Sequence, residues 1–259
     1  MGNNWYAVGY DGVDKEEAVK EQRALDRIAP RRVWMPVDTT KQYVFLDDEP
    51  FTIFEHQFRR NGNWRNWRTC LQGIEDEVPC CDVLGSRSRS FVGYYTVISC
   101  TPWTDKKGNA HQYELQLLPA KLELMKKLRR KKEQKGALVG KMYNASRDSD
   151  KGSSAGTEWE FERDVDLDKM FNVINFDSRT LPEWFDAASA KEGGVDELRR
   201  FFQISLQKDG KTPVRSVVPF NYFELLKPHS VDALKRFVAE AETDSNRGFG
   251  SAGQDDVPF

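Results

Sequence analysis

The sequence contains no run of eighteen apolar residues, which excludes a conventional membrane-spanning helix. Residues 1–27 lack an apolar stretch between a basic start and a small-residue cleavage site, which argues against export and for a cytosolic location. Cysteine is scarce: four among 259 residues are too few for a disulfide scaffold, and a reducing compartment keeps them as thiols or metal thiolates. Histidine is scarcer still, with three, and neither His111 nor His229 has a nucleophile or a Gly-rich phosphate loop nearby. The acids gather in the helical and tail segments instead of converging on a site for Mg²⁺, so no enzymatic activity is expected.

Charge is plentiful but unevenly placed. Residues 1–50 hold 7 Lys/Arg against 10 Asp/Glu, residues 51–147 hold 18 against 9, and residues 148–259 hold 14 against 22. A basic middle between acidic ends lies hidden under a net charge of −2, and fields of this kind serve a polyanion or a charged partner.

Residues 14–28 read as a charged surface helix with Ala18, Leu25 and Ile28 as a weak apolar stripe, stopped by Pro30. From Gln42 the pattern has period two: QYVFL, FTIFEHQF and NWRTCL are expected as three consecutive antiparallel strands, the last two joined at Asn61-Gly62. SFVGYYTVISCTPW and HQYELQLLPA form a further hairpin around Asp105–Asn109, and residues 121–135 form a basic helix ended by Gly136. Residues 137–144 and 157–162 read as two more strands across a Gly/Ser loop. Beyond Asp166 the segments LPEWFDAAS, VDELRRFFQ and SVDALKRFVAEAE read as helices, and residues 243–259 as an acidic disordered tail.

The expected fold is mainly β with added helices (α+β): an OB-like antiparallel barrel with a helical C-terminal subdomain. The expected divisions are an N-terminal helical arm (1–30), the barrel (31–165), the helical subdomain (166–242) and the tail (243–259).

Three features of the basic segment suit unpaired nucleic acid, whose phosphates need cations and whose bases need flat rings. The first is Phe58, Arg59, Arg60, Trp64, Arg65, Trp67 and Arg68 around the Asn-Gly turn. Strand alternation divides these side chains between two faces, so at least one of Trp64 and Trp67 is expected to stack on bases, the alternative being that one or both anchor the barrel core. The second is Trp103 with Lys106 and Lys107 at a hairpin tip, and Tyr94 on its leading strand. The third is the helix from Lys121, with Lys126 and Arg130 among its cations, either a solvated face or an extension of a phosphate track.

A fourth feature is His56, Cys70, Cys80 and Cys81. One His and three Cys suffice for a tetrahedral zinc site, although adjacent cysteines are a poor pair and the alternative is a set of unliganded thiols.

The runs FEHQFRRNGNWRNWRTCL, VPCCDVLG, YYTVISCTPWTDKKGNAHQYELQLLPAK and GALVGKMYNASR resemble the single-stranded DNA-binding proteins of tailed bacteriophages, over Phe51 to about Glu162 and more weakly in VVPFNYFELLKPHS. The resemblance implies an OB-type fold and a zinc knuckle with His56, Cys70 and Cys80 as matching ligands. Cys81 would substitute where the family's Cys-x-x-Cys is missing. It further implies sequence-independent single-stranded DNA binding in replication, recombination and repair, in the cytoplasm of an infected bacterial host.

The terminal Asp255-Asp256-Val257-Pro258-Phe259 resembles the acidic tip of bacterial single-stranded DNA-binding proteins, which implies recruitment of replication or recombination partners. The competing reading is a zinc-stiffened adaptor that binds RNA or a protein of the replication machinery.

Overall fold

The computed structural model describes Tyr10, Val13 and residues 30–60, 63–104 and 108–245, with backbone alone at 59, 60, 63–66 and 240–245. The arm helix at 14–28, the Asn61-Gly62 turn, Lys106, Lys107 and the tail lie outside the described residues. In chain order the elements are β1 (Thr39–Phe45), β2 (Phe51–Arg60), β3 (Asn63–Thr69), α1 (Pro79–Leu84), β4 (Ser90–Ser99), β5 (Trp103–Thr104), β6 (Ala110–His111), β7 (Glu114–Ala120), α2 (Leu122–Lys135), β8 (Lys141–Arg147) and β9 (Glu158–Asp164). They continue with α3 (Leu167–Met170), β10 (Asn175–Phe176), β11 (Arg179–Thr180), α4 (Leu181–Ser189), α5 (Gly194–Arg199), α6 (Tyr222–Leu225) and α7 (Val231–Ser245).

This is an α+β protein, but the expected antiparallel barrel is not what the described strands make. Nine of them form one mixed sheet whose main path runs β11-β10-β7-β4-β1-β8-β9, with β2 on β4 and β3 on β2. Among the described residues the sheet is open: β9 pairs only with β8, and the other end of the path is the short pair β10–β11. It is mixed because β10 runs parallel to β7 at Asn175 and Glu114.

The expected succession of three paired strands also needs correction, since β1 and β2 do not pair. Both lie on β4: β2 takes Ser90 to Tyr94, and β1 takes Val97 to Ser99. The Asp47 and Asp48 carboxylates of the chain between them bond to backbone far along the sequence. Thr96 N–H donates to Asp47 Oδ2 at 2.5 Å, and the N–H groups of Leu138 and Val139 donate to Asp48 Oδ1.

Both faces of the sheet are covered. On one, Phe45 is packed against Tyr95, Tyr143 and Trp159, and α2 contributes Leu124, Met125 and Leu128. Helix α2 approaches β4 at Gly93, where a Cβ would fall against Met125 and 2.8 Å from Pro50 Cβ, so only glycine fits. On the other face, Tyr94, Ile98, Leu115 and Leu117 meet Phe176, Trp184, Phe202 and Phe220 from the C-terminal segments. Helix α4 starts in a reciprocal cap between Thr180 and Glu183, with proline in its first turn.

The α6 segment is fastened by a buried polar knot. Tyr222 OH donates to Asp47 Oδ2 at 2.5 Å, and Phe220 N–H donates to Thr96 Oγ1 at 3.0 Å. Tyr222 has one proton and gives it to Asp47, so the Thr96 hydroxyl, 2.7 Å away, donates to the Tyr222 oxygen. Burial pushes the Asp47 carboxyl up to about 6 against those hydrogen bonds.

The folded chain therefore holds a proton on Asp47 more tightly than the unfolded chain does. Its favourable contribution is complete below about pH 4 and is lost as pH rises to about 6. Asp47→Asn should abolish roughly 2–3 kcal/mol of stability change across that interval. Urea melts at pH 4 and pH 7 measure it; equal pH dependence in variant and wild type would count against a buried, proton-holding Asp47.

A candidate nucleic-acid interface and metal-holding cluster

The β2–β3 hairpin presents two faces of opposite character. Cross-strand partners share a face, so His56 goes with Arg68, while Glu55, Gln57, Trp67 and Thr69 lie on the other side.

On the first face the hairpin is covered by α1 and α7. Phe58 is buried against Phe237 with rings perpendicular at 5.2 Å, and Leu71, Cys80, Leu234 and Val238 complete a small core. Arg68 lies 4.0 Å over Phe237 and donates to the Trp67 carbonyl at 2.9 Å. The expectation of Phe58 among the DNA-binding residues is thus corrected: its ring is buried within this core.

Beside that core His56, Cys70 and Cys81 bring one nitrogen and two sulfurs within 4.8 Å of one another, all three buried. His56 Nε2 is 3.3 Å from Cys81 Sγ, and the two sulfurs are 3.5 Å apart. Tetrahedral bonds of ~2.0–2.3 Å around zinc imply ligand separations of about 3.5–3.8 Å, so the Cys81 sulfur already stands near such an edge from both His56 and Cys70.

The histidine is also turned correctly. Ser88 Oγ gives its proton to the Gly85 carbonyl at 2.7 Å, so it accepts from His56 Nδ1–H at 3.1 Å. That assignment leaves the Nε2 lone pair for a metal. Burial and then Arg89 push His56 below its ordinary pKa, with Glu55 opposing, which keeps the ring neutral. Gln72 N–H lies 3.4 Å from Cys70 Sγ, a donor suited to a thiolate. Burial first, with Cys70 beside it, pushes the Cys81 thiol up to about 11 when it holds its proton.

Cys80 does not belong to this group, a correction of the ligand set implied by resemblance. The segment is helical, successive residues diverge by about 100°, and Cys80 turns into the Phe58–Phe237 core while Cys81 turns to His56. Helix periodicity is not legible in PCCDVL because six residues span fewer than two turns.

The opposite face of the hairpin is built around Glu55, which is 6 % exposed. Arg32 meets it two-pronged, Nη1 to Oε1 at 3.2 Å and Nη2 to Oε2 at 2.9 Å, and Tyr94 OH donates to Oε2 at 2.5 Å. The same guanidinium lies 3.9 Å over the half-buried Trp67 ring and 5.1 Å over Tyr94. Tyr94 is fully buried, so its expected place on a DNA surface is corrected to that of an anchor beneath Arg32.

Two other guanidinium–ring pairs flank the sheet. Arg31 lies 4.6 Å over Trp103, which stacks on His111 at 4.3 Å between β5 and β6. Arg89 lies 4.2 Å over Phe54, which is 40 % exposed and paired across the strands with Phe91. Sequence reading missed Arg31, Arg32 and Arg89, since each lies outside the arginine-rich run and only folding brings it to a ring.

Helix α2 is less free than its charge suggests. Lys126, Lys127, Arg129 and Lys132 lean on Glu123, Glu158, Glu133 and Glu49 respectively. Exposed pairs of this sort contribute about 0–1 kcal/mol each, so a polyanion can compete for the cations. Arg130 is exposed. Arg59, Arg60, Trp64 and Arg65 belong to the distal half of the hairpin, where the backbone alone is described.

Among the described residues no helix is long and apolar enough to cross a membrane. Comparison with protein-family models, curated proteins and solved structures finds no match.

Proposed function

We propose that this chain binds single-stranded DNA without sequence preference and protects it during phage DNA replication, recombination and repair in the host cytoplasm. It is not an enzyme in this reading. The observation that carries it is the Arg32–Trp67 pair on the one face of the β2–β3 hairpin that α1 and α7 leave uncovered. A half-buried indole under a guanidinium offers the two contacts that unpaired polynucleotide needs, a ring for a base and a cation for its phosphate. In sequence the hairpin's distal half carries Arg59, Arg60, Trp64 and Arg65, and Trp103 under Arg31, with Lys106 and Lys107 shortly after it in the chain, would supply a second station. An OB-like relationship rests here on the antiparallel strands β1, β2, β3, β4, β7 and β8 with α2 against them, without barrel closure.

Zinc held by His56, Cys70 and Cys81 would act structurally, fixing the root of this hairpin to α1. The acidic terminus Asp255–Phe259 would recruit replication or recombination proteins and compete with DNA for the cations.

Titration with oligo-dT, duplex DNA and oligo-U, followed by tryptophan fluorescence across a salt series, tests the reading. Quenching by oligo-dT that weakens linearly in log[salt] is expected, with little response to duplex. Preference for oligo-U would favour an RNA-binding adaptor, and no response to any strand in dilute buffer would overturn nucleic-acid binding altogether.

A further inference from the structure

Phe223 is 74 % exposed, an unusual state for a phenylalanine in an ordered, well-fastened segment. Its neighbour Tyr222 is buried and bonded to Asp47 and Thr96, so α6 cannot roll to hide the Phe223 ring without breaking that knot. Burying a phenylalanine side chain is ordinarily favourable, a gain this position forgoes.

The ring is nevertheless held. Phe51 stacks on Tyr222 at 5.3 Å with planes 17° apart, and Phe223 meets Phe51 edge to face at 5.1 Å. Such contacts orient a ring while leaving most of its surface in solvent.

Its location gives the exposure a use. Phe51 faces the same side of β2 as Ile53, Glu55 and Gln57, because side chains alternate along a strand. Tyr94, opposite Phe51, bonds Glu55 on that side, and Trp67 stands opposite Gln57. The α6 segment is pinned to the same face at its far end, where Thr69 Oγ1 donates to the Leu226 carbonyl at 2.9 Å. Phe223 and Trp67 thus mark two ends of one face, with Arg32 between them, and about 20 Å of strand separates Phe51 from Gln57. Lys227, exposed, follows Leu226 on the same wall.

From these observations we infer that Phe223 is a second base-stacking platform, taking an unpaired base of the same DNA strand that lies on Trp67, with Arg32 and Lys227 as the phosphate-side cations. This rests on the proposed function and extends it to a residue from a segment outside the basic region. A base is the occupant that the proposed function favours: Arg32 stands on the same face beside Tyr94, Lys227 follows Phe223 by four residues with the exposed Glu224 between them, and stacking accepts any base as sequence-independent binding requires.

The test compares wild type with Phe223→Ala, Phe223→Leu and Phe223→Tyr by titration with oligo-dT at several salt concentrations. It adds photo-crosslinking of 5-iododeoxyuridine oligomers, with peptide mapping. Alanine and leucine should each weaken binding about tenfold, tyrosine should bind within about threefold of wild type, and the slope against log[salt] should not change, because no phosphate contact is lost. Crosslinks should fall on the peptide containing Phe223.

Wild-type affinity in Phe223→Ala would overturn the platform alone. Wild-type affinity in Phe223→Leu would show apolar volume at work in place of a ring face and would overturn it too. A wild type that ignores single strands would overturn the functional reading and this inference with it.

Discussion

If zinc occupies the His56, Cys70 and Cys81 group, stripping it with a strong chelator is expected to lower the thermal midpoint sharply and to expose the β2–β3 hairpin to protease, while β1, β4, β7 and β8 remain protected. The argument is local. Loop residues 70–89 contain α1 and one 3-10 turn, and they hold to the sheet through the small Phe58–Leu71–Cys80 core, the Arg89–Phe54 contact and the His56, Cys70 and Cys81 group. Without an ion, two buried thiols and an imidazole share that space with only weak S–H donors between them. Binding free energy at a structural zinc site is folding free energy, of order 10 kcal/mol in small zinc domains and smaller where other contacts persist.

The ligand set is tested separately. Zinc content near one per chain is expected in wild type and in Cys80→Ala, and its loss in His56→Ala, Cys70→Ala and Cys81→Ala. Retention in Cys81→Ala with loss in Cys80→Ala would reverse the assignment made from the helical turn. Elemental analysis of chain purified without added metal decides between them.

What sequence made legible was whatever depends on local pattern. Period-two alternation located β2, β3, β4 and β7, and the amphipathic run ending at Gly136 located α2, because the residues that decide those elements are neighbours. Which strands pair was not legible. β1 and β2 lie end to end along β4, and the link between them is held by Asp47 and Asp48 bonding to Thr96, Leu138 and Val139 far along the chain, contacts that no local pattern announces. The two-residue strands β10 and β11 lie below the length at which alternation is visible.

The site shows the same division. Trp67 and the His/Cys group were visible as residue types, but Cys80 and Cys81 could be separated only once α1 set their angle. Arg31, Arg32, Arg89 and Phe223 acquire their neighbours through tertiary contacts alone. Phe58 and Tyr94 were misplaced for a complementary reason: an aromatic on a strand reads alike whether its face meets solvent or a second layer.

Arg32→Ala is the substitution expected to damage both stability and binding most. The side chain satisfies both oxygens of Glu55, caps Trp67 and lies beside Tyr94, with only 18 % of its own surface exposed. Truncating it leaves Glu55 enclosed with the Tyr94 hydroxyl as its remaining side-chain donor, and breaking a buried pair from one side costs about 3–5 kcal/mol. Replacing both partners, as Arg32→Met with Glu55→Gln, removes the charges together and should recover most of that loss, since an uncompensated carboxylate is the larger part of the damage.

The double variant separates folding from function. It should melt near wild type yet bind oligo-dT about tenfold or more weakly, with a salt slope reduced by about one, because a cation over Trp67 is gone while the fold is intact. A double variant that binds as tightly as wild type would mean Arg32 serves only to neutralise Glu55. The Trp67 face would then lose its claim to the DNA.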